Sequence, residues 1–276
     1  MSSRFYKMTG SGNDFVVLDG REHDPAGWPA ERIRSVCDRR LGVGADGIVH
    51  LGLLPDGAIR MVYYNADGSP AEMCGNAALC STRLAVRLGI ANPDRIRLAT
   101  DAGMLESRCL GPEWMAELKF PSAEVPRSIA IPLLKGERLA FQGTVGVPHT
   151  IILVDDVAGV DVETRGRELR SAPVFEPAGS NINFVGATGN DATPWALRTY
   201  ERGVEAETLA CGTGTIAAAL VLGRVRLAEL PVRIRSRSGS IYSVSGSLGA
   251  DTATDIWLCG EGRLVFIGEF ESILSG

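Results

Sequence analysis

The chain has 276 residues, 45% of them hydrophobic and 22% charged, with a net charge of −5. This is enough chain and apolar content for one large domain or two ordinary ones, and the acidic balance argues against a nucleic-acid partner. The opening "MSSRFYKMTG" lacks the apolar core of a signal peptide, and no stretch reaches the roughly 18–20 apolar residues of a membrane span, so a cytoplasmic protein without a membrane partner is expected. In chain order, "FVVLD" (15–19) and "IRMVYY" (59–64) read as strands bounded by Gly and Asp. A helix is predicted over 76–88, closed by Gly89. The Pro- and Ser-containing "FPSAEVPRS" (120–128) is the natural linker, and "TIILVD" (150–155) resumes with a strand. The second predicted helix, "TGTIAAALVL" (213–222), is apolar on nearly every face and therefore buried, and "VRIRS" (232–236) returns to strand.

The two helices share an opening. Cys74 in "AEMCGNAAL" (71–79) and Cys211 in "TLACGTGTI" (208–216) each precede a small-residue helix start, 137 residues apart. At an offset of 136–137 other segments fall into step: 13–19 with 149–155, 44–49 with 180–185, and Gly103 with Gly239. Asn65 and Arg202 each stand nine residues before their cysteine. A shared order and offset points to an internal duplication, and hence to two similar domains, each of strands around one buried helix.

A helix N-terminus offers unpaired N–H groups and the positive end of the macrodipole. A thiol there is expected to have its pKa lowered toward neutrality, and the same N–H groups can bind a carboxylate. Gly75, Gly212 and Gly214 keep the backbone bare for close approach. Two such sulfurs, one on each side of a ligand, suit proton transfer: one thiolate removes a proton from carbon while the opposite thiol supplies one to the other face. That is racemisation or epimerisation. A thiol redox sensor pairing Cys74 with Cys211 is the competing reading from another class. The other four cysteines, Cys37, Cys80, Cys109 and Cys259, read as small buried hydrophobes. Without CxxC, and with only His23, His50 and His149, no metal site is expected; no P-loop or cofactor lysine motif is present, so no cofactor is expected either.

The segments "GSGNDF" (10–15), "GVGADG" (42–47), "NADGSPAEMCGN" (65–76), "GVPH" (146–149) and "YERGVEAETLACGTG" (200–214) together resemble the motif series of diaminopimelate epimerase. The resemblance implies an α+β fold of two pseudo-symmetric domains from an internal duplication, each a mostly antiparallel β-sheet or barrel wrapped around a central helix. The expected halves are 1–120, to which a C-terminal strand at 264–276 returns, and 121–263. It implies an isomerase that interconverts LL- and meso-diaminopimelate without pyridoxal phosphate, as a homodimer, in lysine and peptidoglycan precursor biosynthesis. By motif position Cys74 and Cys211 are the acid/base pair, and His149 and Glu201 match residues that tune them. Asn13, Asn65, Asn76, Asn181 and Arg202 fall on substrate-contacting positions, and Gly75, Gly212 and Thr213 would hold the α-carboxylate. Val147 stands where the family has asparagine, Gly47 where it often has an amide, and Ala77 and Leu79 where it has Gly and Arg. Related racemases with the same paired-cysteine layout act on proline, hydroxyproline or histidine, so the substrate stays open at this level.

Overall fold

The opening strands Arg4–Gly10 and Asn13–Asp19 form an antiparallel hairpin whose tight turn is closed by Ser11 and Gly12, both at positive φ. The computed structural model describes residues 4–109, 111, 114–190 and 192–270. From the hairpin the chain crosses through helix α1 (Ala30–Cys37) to Gly47–Leu53, which lies parallel to Asn13–Asp19. Ile59–Asn65 pairs antiparallel with Gly47–Leu53. Helix α2 (Gly75–Arg87) follows, and the chain returns as Ile96–Thr100, parallel to Ile59–Asn65. Gly103–Arg108 and Met115–Phe120 complete an antiparallel ribbon.

The second half repeats this path. Glu137–Val145 and Val147–Val154 form the hairpin, helix α3 (Val162–Arg170) the crossover, and Asn181–Ala187 the parallel strand. Trp195–Glu201 pairs antiparallel, and helix α4 (Gly212–Arg224) leads to Val232–Arg235, parallel to Trp195–Glu201. Even single rungs correspond: Ile59 opposite Leu98 in the first half is Trp195 opposite Ile234 in the second. The chain divides into two compact units, one running to Lys119 and resuming at Cys259, the other spanning Phe120–Leu258. The strand Arg263–Glu269 pairs antiparallel with Arg4–Gly10 and belongs to the first unit. Residues 271–276, the end of the segment expected to return there, lie outside the described residues.

Each long helix is enclosed by strands of its own unit. Helix α2 buries nine of its residues from Asn76 to Ala85, and helix α4 buries the continuous run Gly214–Leu222. Alanines and short aliphatics dominate both, because a helix inside a closed sheet must be slim on every side. Both helices have 13 residues, start one residue earlier than predicted, and end in the same Schellman-type cap. In the first cap the left-handed position is Gly89 (φ 68°) and Ile90 N–H donates to Ala85; in the second it is Arg226 (φ 58°) and Leu227 N–H donates to Leu222. The architecture expected from the sequence, two pseudo-symmetric halves each with a mostly antiparallel sheet around a buried helix, is the one observed. The segment 120–128 is not an open linker. Ala123–Glu124 pairs with Thr252–Ala253 and Arg127–Ile129 with Ala140–Gln142, which satisfies its backbone groups within the second unit. Among the described residues, no helix is long and apolar enough to cross a membrane.

The first unit buries a histidine. His50 is 1% exposed, edge-on to Trp28 and Tyr64. Burial outweighs the favourable contribution of the His23 backbone and pushes its pKa down to about 4. An unfolded histidine titrates near 6.5, so as pH falls the unfolded chain binds this proton first. The contribution of neutral His50 is therefore complete above about pH 6.5 and is lost between there and about pH 4, by about 3 kcal/mol. Urea titrations across that window are expected to show this slope in the native protein and to lose it in His50→Phe.

Candidate active site

The two cysteines occupy the same backbone position. Cys74 caps helix α2 with φ −135° and ψ 121°, and Cys211 caps helix α4 with φ −135° and ψ 106°. In neither does the side chain make a capping hydrogen bond, and each sulfur sits at the N-terminal end of its helix. All six cysteines are unbridged. Cys37, Cys80 and Cys109 are buried as expected, whereas Cys259 is partly exposed. Among the described residues, no cluster of three or more His, Cys, Asp or Glu could hold a metal ion.

In the first unit the helix start meets one end of the sheet. Asn76 donates its amide to Asn13 Oδ1 (2.7 Å), and Asn13 donates to Asp46 Oδ2 (2.9 Å). Asp46 Oδ1 in turn accepts from Arg39 (2.7 Å), which also holds Asp14, itself paired with Lys7. Because each amide is fixed by the next polar group, Asn13 and Asn76 present defined donor and acceptor faces beside Cys74 and Gly75. Asn65 ends its strand opposite Gly47 and closes the "NADGS" turn, donating to Ser69 Oγ (3.1 Å) while its own N–H reaches the Ser69 carbonyl (2.9 Å). The structure thus brings Cys74, Gly75, Asn76 and Asn13 together and gives Asn65 a turn-forming role at the same sheet end.

Tyr63, not singled out from the sequence, explains Gly47. A side chain at Gly47 would place its Cβ 2.6 Å from the Tyr63 ring and 2.4 Å from the Tyr64 carbonyl. Burial, followed by the neighbouring Cys74, raises the pKa of the Tyr63 phenol. Ala77 and Leu79 are both fully buried in helix α2.

In the second unit Cys211 is 7% exposed. The backbone N–H groups of Gly214 and Thr213 are directed at its sulfur, and Thr213 Oγ1 lies 3.7 Å away. These donors act in the direction expected of a helix start, yet they do not prevail. Burial, and then the carboxylate of Glu201, push the Cys211 thiol up to about 12, which corrects the expectation of a pKa near neutrality. Burial also raises the Glu201 carboxyl. His149 is fully buried, with Nε2 at 3.0 Å from Thr213 Oγ1; burial and the nearby Arg202 hold it down to about 3, so it is neutral at physiological pH. Asn181 pairs across the strands with His149 and accepts from the Arg202 backbone N–H (2.8 Å), while the Arg202 guanidinium reaches the Ala178 carbonyl (2.9 Å). His149, Asn181, Glu201, Arg202, Cys211, Gly212 and Thr213 therefore gather at one end of this unit's sheet. Asn183, overlooked in the sequence, is buried among them. Gly214 is required there, since a Cβ would lie 2.3 Å from Asn183 Oδ1 and 3.2 Å from the Cys211 sulfur.

A family model described as Diaminopimelate epimerase matches residues 5–114 and 141–245. The chain is 42% identical over 281 residues to a diaminopimelate epimerase of Gemmatimonas aurantiaca, covering 98% of this chain and 99% of that one. The chain belongs to the diaminopimelate epimerase family. It is an isomerase by that membership. A Bacillus anthracis phenazine biosynthesis protein of the PhzF family shares the fold with TM-score 0.74 at 13% identity, covering 98% of this chain and 99% of the other. A probable proline racemase from Agrobacterium radiobacter K84 does so with TM-score 0.62 at 18% identity, over 99% and 95%. Both likenesses span nearly the whole chain, so this chain shares its fold, across both units, with these two proteins.

Proposed function

We propose that this protein interconverts LL- and meso-diaminopimelate by a two-base proton transfer at the α-carbon, with Cys74 and Cys211 as the bases. The observation that carries the reading is the matched pair of cysteine-capped helix starts, in a chain of the diaminopimelate epimerase family. One sulfur, as thiolate, removes the α-proton; the other, as thiol, delivers a proton to the opposite face, and the configuration inverts. A thiol held up to about 12, as Cys211 is, suits the delivering role in the resting protein. Charge developing on the α-carboxylate is met by backbone N–H groups at the helix starts, of Gly75 in one unit and of Gly212 and Thr213 in the other, the Thr213 N–H being shared with the Cys211 sulfur. A preorganised donor of this kind is worth about 3 kcal/mol in a water-excluded site. Arg202 and the amides of Asn13, Asn65, Asn76 and Asn181 bind the remaining charged groups of the substrate, and Glu201 and His149 set the environment of Cys211. No pyridoxal phosphate takes part in this reading. We further propose that the enzyme works in the cytoplasm, as a homodimer, in lysine and peptidoglycan precursor biosynthesis.

The test is inversion in deuterated water. Starting from LL-diaminopimelate, early product is expected to carry one deuterium at the inverted α-carbon while recovered substrate remains unlabelled. Equal early labelling of substrate and product would indicate a single base and sink the mechanism. A parallel panel of proline, hydroxyproline and histidine, resolved by chiral chromatography, addresses the substrate, since there is no room for a side chain at Gly47. Inversion of one of those in place of diaminopimelate would overturn the substrate and keep the chemistry. Reversible loss of activity on oxidation without any α-proton exchange would favour the redox-sensor reading.

A further inference from the structure

The amide nitrogen of Asn183 stands 3.2 Å from the Thr150 carbonyl oxygen, 3.1 Å from the Asn181 carbonyl oxygen and 3.2 Å from His149 Nδ1. Its oxygen accepts from Thr199 Oγ1 at 2.9 Å. Two carbonyl oxygens beside one end of the amide identify that end as the NH2, because the flipped amide would set oxygen against oxygen. The NH2 shares its two hydrogens among three neighbours and can only donate, so a proton on the imidazole nitrogen facing it would have no acceptor, and that nitrogen is the bare one. His149 is therefore the tautomer protonated on Nε2, and Nε2–H donates to Thr213 Oγ1 at 3.0 Å. With a lone pair of that oxygen engaged, the hydroxyl proton turns away from the ring, and the Cys211 sulfur lies 3.7 Å off to receive it.

We propose that Asn183 is a positioning residue, which fixes the tautomer of His149 and thereby directs the Thr213 hydroxyl as a donor onto the sulfur of Cys211. The chain of donors runs one way, from Asn183 through His149 and Thr213 to the thiol. This gives His149 a part other than that of a base: its nitrogen nearest the sulfur's neighbour already holds its proton. The groups bearing on Cys211 then divide clearly. Burial and the Glu201 carboxylate oppose the thiolate, while the N–H groups of Gly214 and Thr213 and the Thr213 hydroxyl favour it. Arg202 acts on His149 and opposes an imidazolium there. The importance of the hydroxyl for turnover rests on Cys211 being an acid/base, but the tautomer and the thiol's reactivity do not.

Both are measured without turnover. In protein labelled with 15N-histidine, long-range proton–nitrogen correlation, with the signal assigned by its absence in His149→Gln, is expected to show Nε2 protonated and Nδ1 bare at pH 7. A protonated Nδ1 in the native protein would overturn the proposal. In Asn183→Ala, which removes the donor facing Nδ1, the share of His149 protonated on Nδ1 should rise, and an unchanged tautomer would refute the positioning role of Asn183. Cys211 alkylation by iodoacetamide, followed at pH 8 in a Cys74→Ser background, is expected to slow about tenfold in Thr213→Val, one pKa unit in the thiol. Thr213→Ser should restore the native rate. An unchanged rate in Thr213→Val would refute the hydroxyl's role, and this result stands whether or not the protein epimerises diaminopimelate.

Discussion

Alanine in place of Cys211 is expected to abolish net epimerisation, lowering kcat/KM by about a thousandfold or more, and Cys74→Ala is expected to do the same. A positioned acid or base contributes roughly 10²–10⁴ in rate, and inversion needs both partners in every turnover, so neither loss can be covered by the remaining sulfur. The two variants should still differ. Each retains one thiol that can take the α-proton of the isomer presented to it and return a solvent deuteron to the same face. Each variant is thus expected to exchange the α-hydrogen of one isomer without inverting it, the two variants choosing opposite isomers. Nuclear magnetic resonance of diaminopimelate in deuterated water reads both exchange and configuration. Normal turnover in either variant would end the two-base mechanism. Exchange of both isomers by one variant would show that the sulfurs do not address opposite faces.

Gly166→Ala is expected to cost a large part of the stability of the second unit. In an exposed helix this substitution gains about 1 kcal/mol, because alanine is the better helix former. Gly166 lies within helix α3, where a Cβ would come 2.3 Å from Cβ and 2.5 Å from Cγ of Tyr200 on the strand Trp195–Glu201. Those atoms are the stem of a ring that is fully buried and whose hydroxyl is tied to the Glu205 carbonyl (2.9 Å), so the contact cannot be relieved by a rotamer change. The helix must move off the sheet. A loss of about 2–3 kcal/mol is expected, of the order seen when a packed core is overfilled. The midpoint of a urea titration should fall accordingly, and a midpoint equal to or above the native value would refute the packing argument. Tyr200 immediately precedes Glu201 and Arg202, so the same displacement reaches the candidate site.

The duplicated architecture was legible because its signal is periodic: two cysteines with small residues behind them, at nearly half the chain length, mark the two enclosed helices. Finer features followed less simply. One constant offset sets Gly47 against Asn183, but the parallel strand pairs begin Phe15 opposite Gly47 and His149 opposite Asn181, so the slot of Gly47 is that of Asn181. The few residues by which the strands slip hid Asn183, since a shift of two keeps a side chain on the same face and leaves no trace in the hydrophobic pattern. Helices α1 and α3 were missed for a different reason. Both are short and largely polar, and their signals are local: Pro29 ahead of the first, and an Asp161 side chain that accepts from the Thr164 N–H (3.1 Å) at the second. The elevated pKa of Cys211 could not be read from a helix-start motif, because burial and the approach of Glu201 come from the folded sheet rather than from neighbours in sequence.

The pairing of Arg263–Glu269 with Arg4–Gly10 has a consequence for synthesis. The strand that lies along one of the earliest segments of the chain is translated only after every residue of the second unit. Until then Phe5 lacks the rings of Phe266 and Phe270, which stand 6.0 and 4.6 Å from it, centroid to centroid. The backbone groups of Arg4–Gly10 that face this strand stay unpaired for the same interval. The nascent first unit therefore waits with an open, apolar edge through the manufacture of its own duplicate, whose strands follow the same plan. The chain's vulnerable period is set by the insertion of one copy within the other, and a chain cut short before Arg263 would keep that edge exposed.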